Sequence, residues 1–339
     1  MNDLSCGTWG VRIGMLVLLA SVGVAQTYTV FTVPGSGAGA GQGTFAAAEN
    51  ELGVVTGWYI DSKDRRHGYI RNRNGSIAKF DVPEAGFLPF QGTLPHSINK
   101  AGAVTGQFRD AASVPHGFVR QTGGRIAIFD PAGSNQTYGL EINDSGDVAG
   151  FYSVGFTSHG FIRRSDGSLE IVDVPGSSST TVTSINSSGQ VAGQFSDLTG
   201  SHGFLRRADG TYVSFAPSRT LTFASSINAV GQVAGMFLSS KKLTSHGFLR
   251  QANGAIVRID PRGSLSTNIN ALSSSGEIVG TYKNANGIGE GFLRRANGSF
   301  VSIHPPNSSL TYGMAVNSHG QTAGTYLDAL QVYHGYLFH

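Results

Sequence analysis

Histidine recurs at one position of a repeated unit: His67, His116, His159, His202, His246 and His334 each precede Gly and an aromatic residue, with Glu290 standing in the remaining copy. Four copies place Asp in the preceding loop, at Asp61, Asp110, Asp197 and Asp328. Imidazole beside carboxylate is the chemistry of proton relays and of metal binding. Zinc needs three or four converging ligands, and one His with one Asp per unit supplies two, held apart by the spacing of the units. Repetition favours a structural task, in which the imidazole fastens the preceding loop by hydrogen bonds to backbone or Asp. No metal site and no cofactor is expected.

Catalytic signatures are sparse. The chain contains no GxSxG, HExxH, phosphate-loop or EF-hand pattern. Of the carboxylates off the repeat (Glu49, Glu84 and Glu141), Glu49 and Glu141 approach inner strands two units apart, and they form the one acid/base pair to test. The arginines after His-Gly-Phe (Arg163 with Arg164, Arg206 with Arg207, Arg294 with Arg295) are expected to flank turns with their stems over apolar neighbours. The charge cluster Asp61 to His67 carries both signs and reads as a solvated loop. A net charge of +3, with Lys and Arg spread singly, leaves no footprint for nucleic acid.

The elements that position these residues come from the repeat itself. Aligning on Asn50, Asn99, Asn143, Asn186, Asn228, Asn270 and Asn317 gives seven copies, the sixth carrying three extra residues before Gly276. Each copy parses into four strands. The first ends in Ile-Asn, the second reads like Gln-Val-Ala-Gly, the third begins His-Gly-Phe, and the fourth follows an Asp-Gly or Asn-Gly hairpin turn and stops at Pro. Four antiparallel strands per unit of about 43 residues match the blade of a β-propeller.

The expected fold is therefore all-β: one seven-bladed β-propeller over residues 26–339, with repeats near 44–83, 94–131, 138–175, 181–217, 223–261, 265–305 and 312–339. Residues 27–34 read as an orphan fourth strand, and the last copy stops after its third, so the orphan should complete that blade and close the ring. Residues 1–25, with Arg12 before the apolar run Ile13 to Ala25 and small residues at its end, read as a secretory signal peptide. Beyond it there is no cysteine and no stable membrane span, so packing and strand ladders must supply the stability.

The order "INxxGxVAG" followed by "HGFLRR" resembles the bacterial extracellular repeat family named for a His-Ala-Phe tripeptide, the HAF repeat proteins, with Gly standing where the family name has Ala. The resemblance implies export and repetition and carries over no catalytic residue.

Departures from the repeat are where function is sought. Entering the first strands stand Phe45, Leu94, Tyr138, Thr181, Phe223, Leu265 and Tyr312, and the aromatic ones (Phe45, Tyr138, Phe223 and Tyr312) are the candidate ligand-binding residues around the channel mouth. Aromatic faces beside polar groups suit sugar rings or short peptides. The reading favours a secreted, extracellular or periplasmic monomer that binds a glycan or protein without catalysis. Its alternatives are a hydrolase or lyase acting on extracellular polysaccharide and a structural envelope component.

Overall fold

The computed structural model describes residues 27–218, 220–239 and 244–339; the leader segment expected at 1–25 lies outside the described residues. Among the described residues there are twenty-eight strands and no helix. The chain opens with β1 (Tyr28–Phe31), followed by a first unit of β2 (Gly43–Glu49), β3 (Val55–Ile60), β4 (Arg66–Arg71) and β5 (Ile77–Phe80). The second unit is β6 (Gly92–Ile98), β7 (Val104–Arg109), β8 (Pro115–Arg120) and β9 (Ile126–Phe129). The third is β10 (Gln136–Ile142), β11 (Val148–Val154), β12 (Thr157–Arg163) and β13 (Leu169–Val172), and the fourth is β14 (Ser179–Ile185), β15 (Val191–Asp197), β16 (Gly200–Arg206) and β17 (Tyr212–Phe215). The fifth is β18 (Thr222–Ile227), β19 (Val233–Leu238), β20 (Ser245–Arg250) and β21 (Ile256–Ile259), and the sixth is β22 (Ser266–Leu272), β23 (Ile278–Lys283), β24 (Gly289–Arg294) and β25 (Phe300–Ile303). Last come β26 (Leu310–Val316), β27 (Thr322–Leu327) and β28 (Tyr333–Phe338).

Successive strands of each unit pair antiparallel, as expected from the Asn-x-x-Gly and Asp-Gly turns that join them. The last three strands have no fourth of their own in sequence order. Their fourth is β1, which pairs antiparallel with β28 from Tyr28↔Phe338 to Phe31↔Gly335. Single parallel bridges, Arg66↔Gly92 and Gly43↔Tyr333, join β4 to β6 and β28 to β2. The first strands of successive units run side by side, which places them innermost.

One feature of the repeat is corrected by these pairings. Asn270 does not occupy the turn position of the other asparagines; Ser273 does, since its N–H donates to the Glu277 carbonyl and its carbonyl accepts from Gly276, as Asn228 does with Gln232 and Gly231. The sixth unit has no insertion, and the residue equivalent to Phe45 is Asn268 rather than Leu265: it faces Thr281 across the ladder as Phe45 faces Trp58. The Ile-Asn dipeptide at 269–270 imitates the repeat three residues early.

Two glycines of each unit are fixed by close approach. In the second strand, Gly193 faces Val182 at a β-bulge, where an added Cβ would stand 2.9 Å from the Phe204 ring. In the His-Gly-aromatic triplet a ring of the fourth strand lies on the glycine in four units: a Cβ on Gly68 would meet the Phe80 ring at 2.8 Å, and Gly117, Gly203 and Gly335 are covered by Phe129, Phe215 and Phe31. Alanine at those positions would overlap the rings.

Between units the packing repeats. Phe80 meets Phe118 edge-on at 6.2 Å, Phe129 meets Phe161 at 5.6 Å and Phe215 meets Phe248 at 5.7 Å, each ring on a fourth strand touching the third strand of the next unit. At four junctions an arginine ending a third strand lies over the same ring, as with Arg120 over Phe80 at 5.0 Å and Arg163 over Phe129 at 5.3 Å, whereas Arg206 lies over Tyr212 of its own unit. Of the arginines expected over apolar neighbours, Arg163 thus meets an aromatic face on the preceding unit and Arg206 one on its own.

Candidate functional site

The first strands run from a loop end, where the histidines sit, to a turn end, where the asparagines sit. At the loop end His67 Nδ1 lies 2.9 Å from Asp81 and its Nε2 lies 3.4 Å from Asp61, while His116 spans Asp130 at 2.7 Å and Asp110 at 3.4 Å. His159 and His246 use Asp173 and Asp260, His202 uses Asp197, and His334 uses Asp328 at 3.0 Å and Thr32 at 3.2 Å. In four units, then, the imidazole joins the end of the fourth strand through an Asp fourteen residues on, which the sequence reading missed although it recurs one or two residues before Pro in Asp81, Asp130, Asp173 and Asp260. In the sixth unit the pair is inverted, with Glu290 at the histidine position and His304 at the aspartate position, 3.9 Å apart. Inversion keeps the attraction and discards any fixed catalytic order. Among the described residues no three His, Cys, Asp or Glu side chains gather as a metal site.

At the turn end, five asparagines each tie two units together, while Asn317 Nδ2 donates to Gln321 Oε1 of its own turn at 3.3 Å. Each of the five accepts N–H groups of its own turn through Oδ1, as Asn143 does from Ser145 and Asp147, and donates through Nδ2 to the equivalent carbonyl of the next unit. This relay runs Asn50 to Asn99, Asn143, Asn186, Asn228 and Ser273 at 2.9 to 3.3 Å. Ser273 has no amide to pass it on. Every first strand also carries a β-bulge that leaves one residue unpaired: Ala47, His96, Leu140, Thr183, Ser225, Asn270 and Met314.

These bulges line a central cavity of about 330 Å³ that contains both candidate catalytic carboxylates, Glu49 and Glu141, together with His96. Glu141 accepts the Ile185 N–H at 3.0 Å, and at the same repeat position Ser97, Ser184 and Ser226 accept the N–H of Ile142, Ile227 and Leu272. Its carboxylate thus does the work of those hydroxyls. Burial nevertheless pushes its pKa up to about 7 against the hydrogen bonds from Ser184 and Ile185. Glu49 is different: it replaces the aliphatic residue of Ile98, Ile142, Ile185 and Ile227, is buried, and both its oxygens lack a partner. Desolvation, helped by Glu51 and opposed by Arg71, raises it to about 8. Burial lowers His96 to about 4, so its imidazole is neutral at physiological pH, with Nε2 unpartnered. His96 was not singled out in the sequence because a single histidine off the repeat carries no local signal.

The aromatic candidates stand at the opposite, loop end and do not line this cavity. Phe45 is half-buried, stacked on Trp58 with centroids 5.3 Å apart and planes 8° from parallel, and Tyr333 of the last unit leans against it at 4.3 Å. Tyr312 faces Thr325 across the ladder. Tyr138 stacks on Phe151 at 4.6 Å, while Phe223 faces Met236. The structure therefore gathers Phe45 into one arc with Trp58 and Tyr333, and leaves Tyr138, Phe223 and Tyr312 on separate units. Trp58, Tyr333 and Phe151 were missed in sequence because they lie on second and third strands, away from the position compared across the repeats.

The sequence matches no family model and no curated protein. In fold the chain is similar to virginiamycin B lyase from Staphylococcus aureus, with TM-score 0.60 and 13% identity over 92% of this chain and 99% of that one. It is also similar to the β-propeller domain of the Trilobed protease from Pyrococcus furiosus (TM-score 0.61, 11% identity, 87% and 93% of the two chains) and to BP39L lectin from Burkholderia pseudomallei (0.56, 12%, 86% and 96%). These likenesses establish a β-propeller fold built of four-stranded blades and carry no activity across.

Proposed function

We propose that the protein is an exported, non-enzymatic binding module: a seven-bladed propeller, its last blade completed by β1, that holds a carbohydrate on the aromatic arc at its loop end. The observation that carries the ligand is the half-buried stack of Phe45 on Trp58 with Tyr333 against it, a platform of ring faces that suits the apolar face of a sugar ring. The closed wheel draws support from contacts that repeat across the seam between the last and first blades. Val33 donates to Thr44 Oγ1 at 2.9 Å as Val82 does to Thr93, and Ser318 N–H reaches Glu51 at 3.0 Å as Lys100 N–H reaches Asp144. Export, to the periplasm or the medium, and kinship with the HAF repeat proteins rest on the leader and the repeat signature.

The test is a glycan array followed by titration of the best binder, read by Trp58 fluorescence, since residues 27–339 contain no other tryptophan. Phe45→Ala should weaken binding roughly tenfold, about 1.4 kcal/mol, with the fold retained. Binding that is indifferent to both Phe45→Ala and Tyr333→Ala would remove the platform from consideration. A second reading, a polysaccharide hydrolase or lyase, draws on the raised pKa values of Glu49 and Glu141. Product release abolished by Glu141→Gln would favour it.

A further inference from the structure

We infer that the cleft at the turn end, between the last and first units, is a binding site for carboxylate- or sulfate-bearing polysaccharide, separate from the aromatic arc at the other end. Two adjoining cavities, of about 340 and 200 Å³, share Gly53, Arg73, Gln321 and His339. Their polar walls are Arg71, Arg73, Arg295, His319, Gln321 and His339. Guanidinium groups thus reach the cleft from both sides of the turn at Asn317 to Gln321.

One residue makes this cleft unlike the same place in other units. Arg73 stands at a turn position filled by Thr122, Ser165, Ala208, Ala252 and Ala296 elsewhere, so its charge is an addition to the repeat. Beside it Arg71, which lies over Phe31 as Arg120 lies over Phe80, is buried with its Nε unpartnered, and neither Arg71 nor Arg73 forms an ion pair among the described residues. Gln321, a glutamine position in the fourth and fifth units as well, meets the His339 ring at 3.2 Å. The carboxylates near the cleft are engaged elsewhere: Glu51 takes the N–H and hydroxyl of Ser318 and lies 3.9 Å from His319, and Glu277, beside Gly320, pairs with Arg295.

A buried, unpaired guanidinium next to an exposed one is a fork for an oxyanion, and arginine binds carboxylate and sulfate in paired hydrogen bonds. A polymer with one negative charge per residue would satisfy both arginines at once, whereas neutral sugars would leave them unpaired.

The test is retention and titration with three probes of matched length: polygalacturonate, dextran sulfate and neutral dextran. Wild type should bind at least one polyanion, with affinity falling as salt rises, and should not bind dextran. Arg73→Gln, an exposed position whose loss should leave the melting temperature unchanged, should weaken binding at least fivefold. Lys63→Gln, at the loop end, should change it less than twofold. Preference for polygalacturonate or for dextran sulfate assigns the carboxylate or the sulfate source. Absence of binding to both polyanions, or equal weakening by Lys63→Gln and Arg73→Gln, would overturn the site. Phe45→Ala should leave polyanion binding intact, so failure here and failure of the aromatic platform are told apart.

Discussion

The ring of Phe31 meets the ring of Tyr69 edge-on, centroids 6.2 Å apart and planes at 72°, although one lies on the first strand of the described chain and the other on the third strand of the first unit. Phe80 and Phe118 make the same contact at 6.2 Å and 69° one unit further along. Arg71 over Phe31 at 4.9 Å matches Arg120 over Phe80 at 5.0 Å. The seam is therefore packed with the same parts as an ordinary junction, and β1 is one of them.

Removing residues 27–33 should expose the edge of β28 and strip the ring from Gly335, leaving a protein that aggregates or melts well below wild type. The milder Phe31→Ala should cost about 2 to 3 kcal/mol, below the usual cost for a fully buried Phe because Phe31 is half-buried. Differential scanning calorimetry and light scattering decide the matter. A deletion variant that stays monomeric with an unchanged melting temperature would show that the seam contributes nothing.

The His67–Asp81 contact should make stability depend on pH in a defined direction. The hydrogen bond to Asp81, opposed by burial and helped by Asp61, raises His67 above its ordinary value, so the folded protein holds that proton more tightly than the unfolded chain does. The stabilisation is fully present below the unfolded histidine value and is lost as pH rises through the folded one. Asp81→Asn should therefore destabilise most at about pH 5 and least at pH 8, by under about 1 kcal/mol because Asp81 is largely exposed. Melting curves of the two proteins from pH 5 to 8 should converge; a constant gap would assign the contact to packing alone.

Ser273 interrupts the relay of buried amides, and restoring the amide is a stabilising experiment. The Oδ1 of an asparagine there can take over the Glu277 N–H that Ser273 Oγ now accepts at 3.0 Å, while its Nδ2 points toward the last unit as its five counterparts point toward theirs. Ser273→Asn should raise the melting temperature by a few degrees, on the scale of about 1 kcal/mol for one added buried hydrogen bond. In contrast, Asn143→Ala, which strands the Ser145 and Asp147 N–H groups and the Asn186 carbonyl, should lower it by about 2 kcal/mol or more. Equal melting temperatures for Ser273→Asn and wild type would mean that the relay is slack at this point.

The architecture was legible because local signals agreed with one another: Asn-x-x-Gly and Asp-Gly turns, Pro after the fourth strands and a steady period all specify four-stranded units. The pairing of His67, His116, His202 and His334 with the preceding loop Asp was legible as well, from repetition. What misled was the Ile-Asn at 269–270, where letters matched the motif while the hydrogen-bonding position belonged to Ser273 three residues on. Composition cannot see such a slip; the bulge at Asn270 and the burial of Leu272 can. The aromatic arc was partly legible: Phe45 stands at the repeat position compared across units, but Trp58 and Tyr333 reach it from other strands, and nothing in a linear pattern reports contacts across strands and units.

Glu49 is the residue at which sequence pattern and physics disagree most, and the disagreement is measurable. The other units place Ile98, Ile142, Ile185, Ile227, Leu272 and Val316 there, whereas this carboxyl sits buried with no hydrogen-bond partner. Burial first, with the charge of Glu51 added and Arg71 opposing, raises it to about 8. The folded state then holds the proton more tightly than the unfolded state, whose carboxyl titrates near 4.5. Stability should fall as pH climbs from about 4.5 and level off above about 8, once both states have lost the proton. Glu49→Ile should remove that slope, gaining more than about 1 kcal/mol at pH 8.5 and little at pH 4. Glu49→Gln should flatten the slope too while keeping a polar group in the wall. If melting temperatures of wild type and Glu49→Ile run parallel from pH 4 to 9, the carboxyl has found water or a counter-charge, and the cavity is wetter and more polar than its aliphatic repeat position implies.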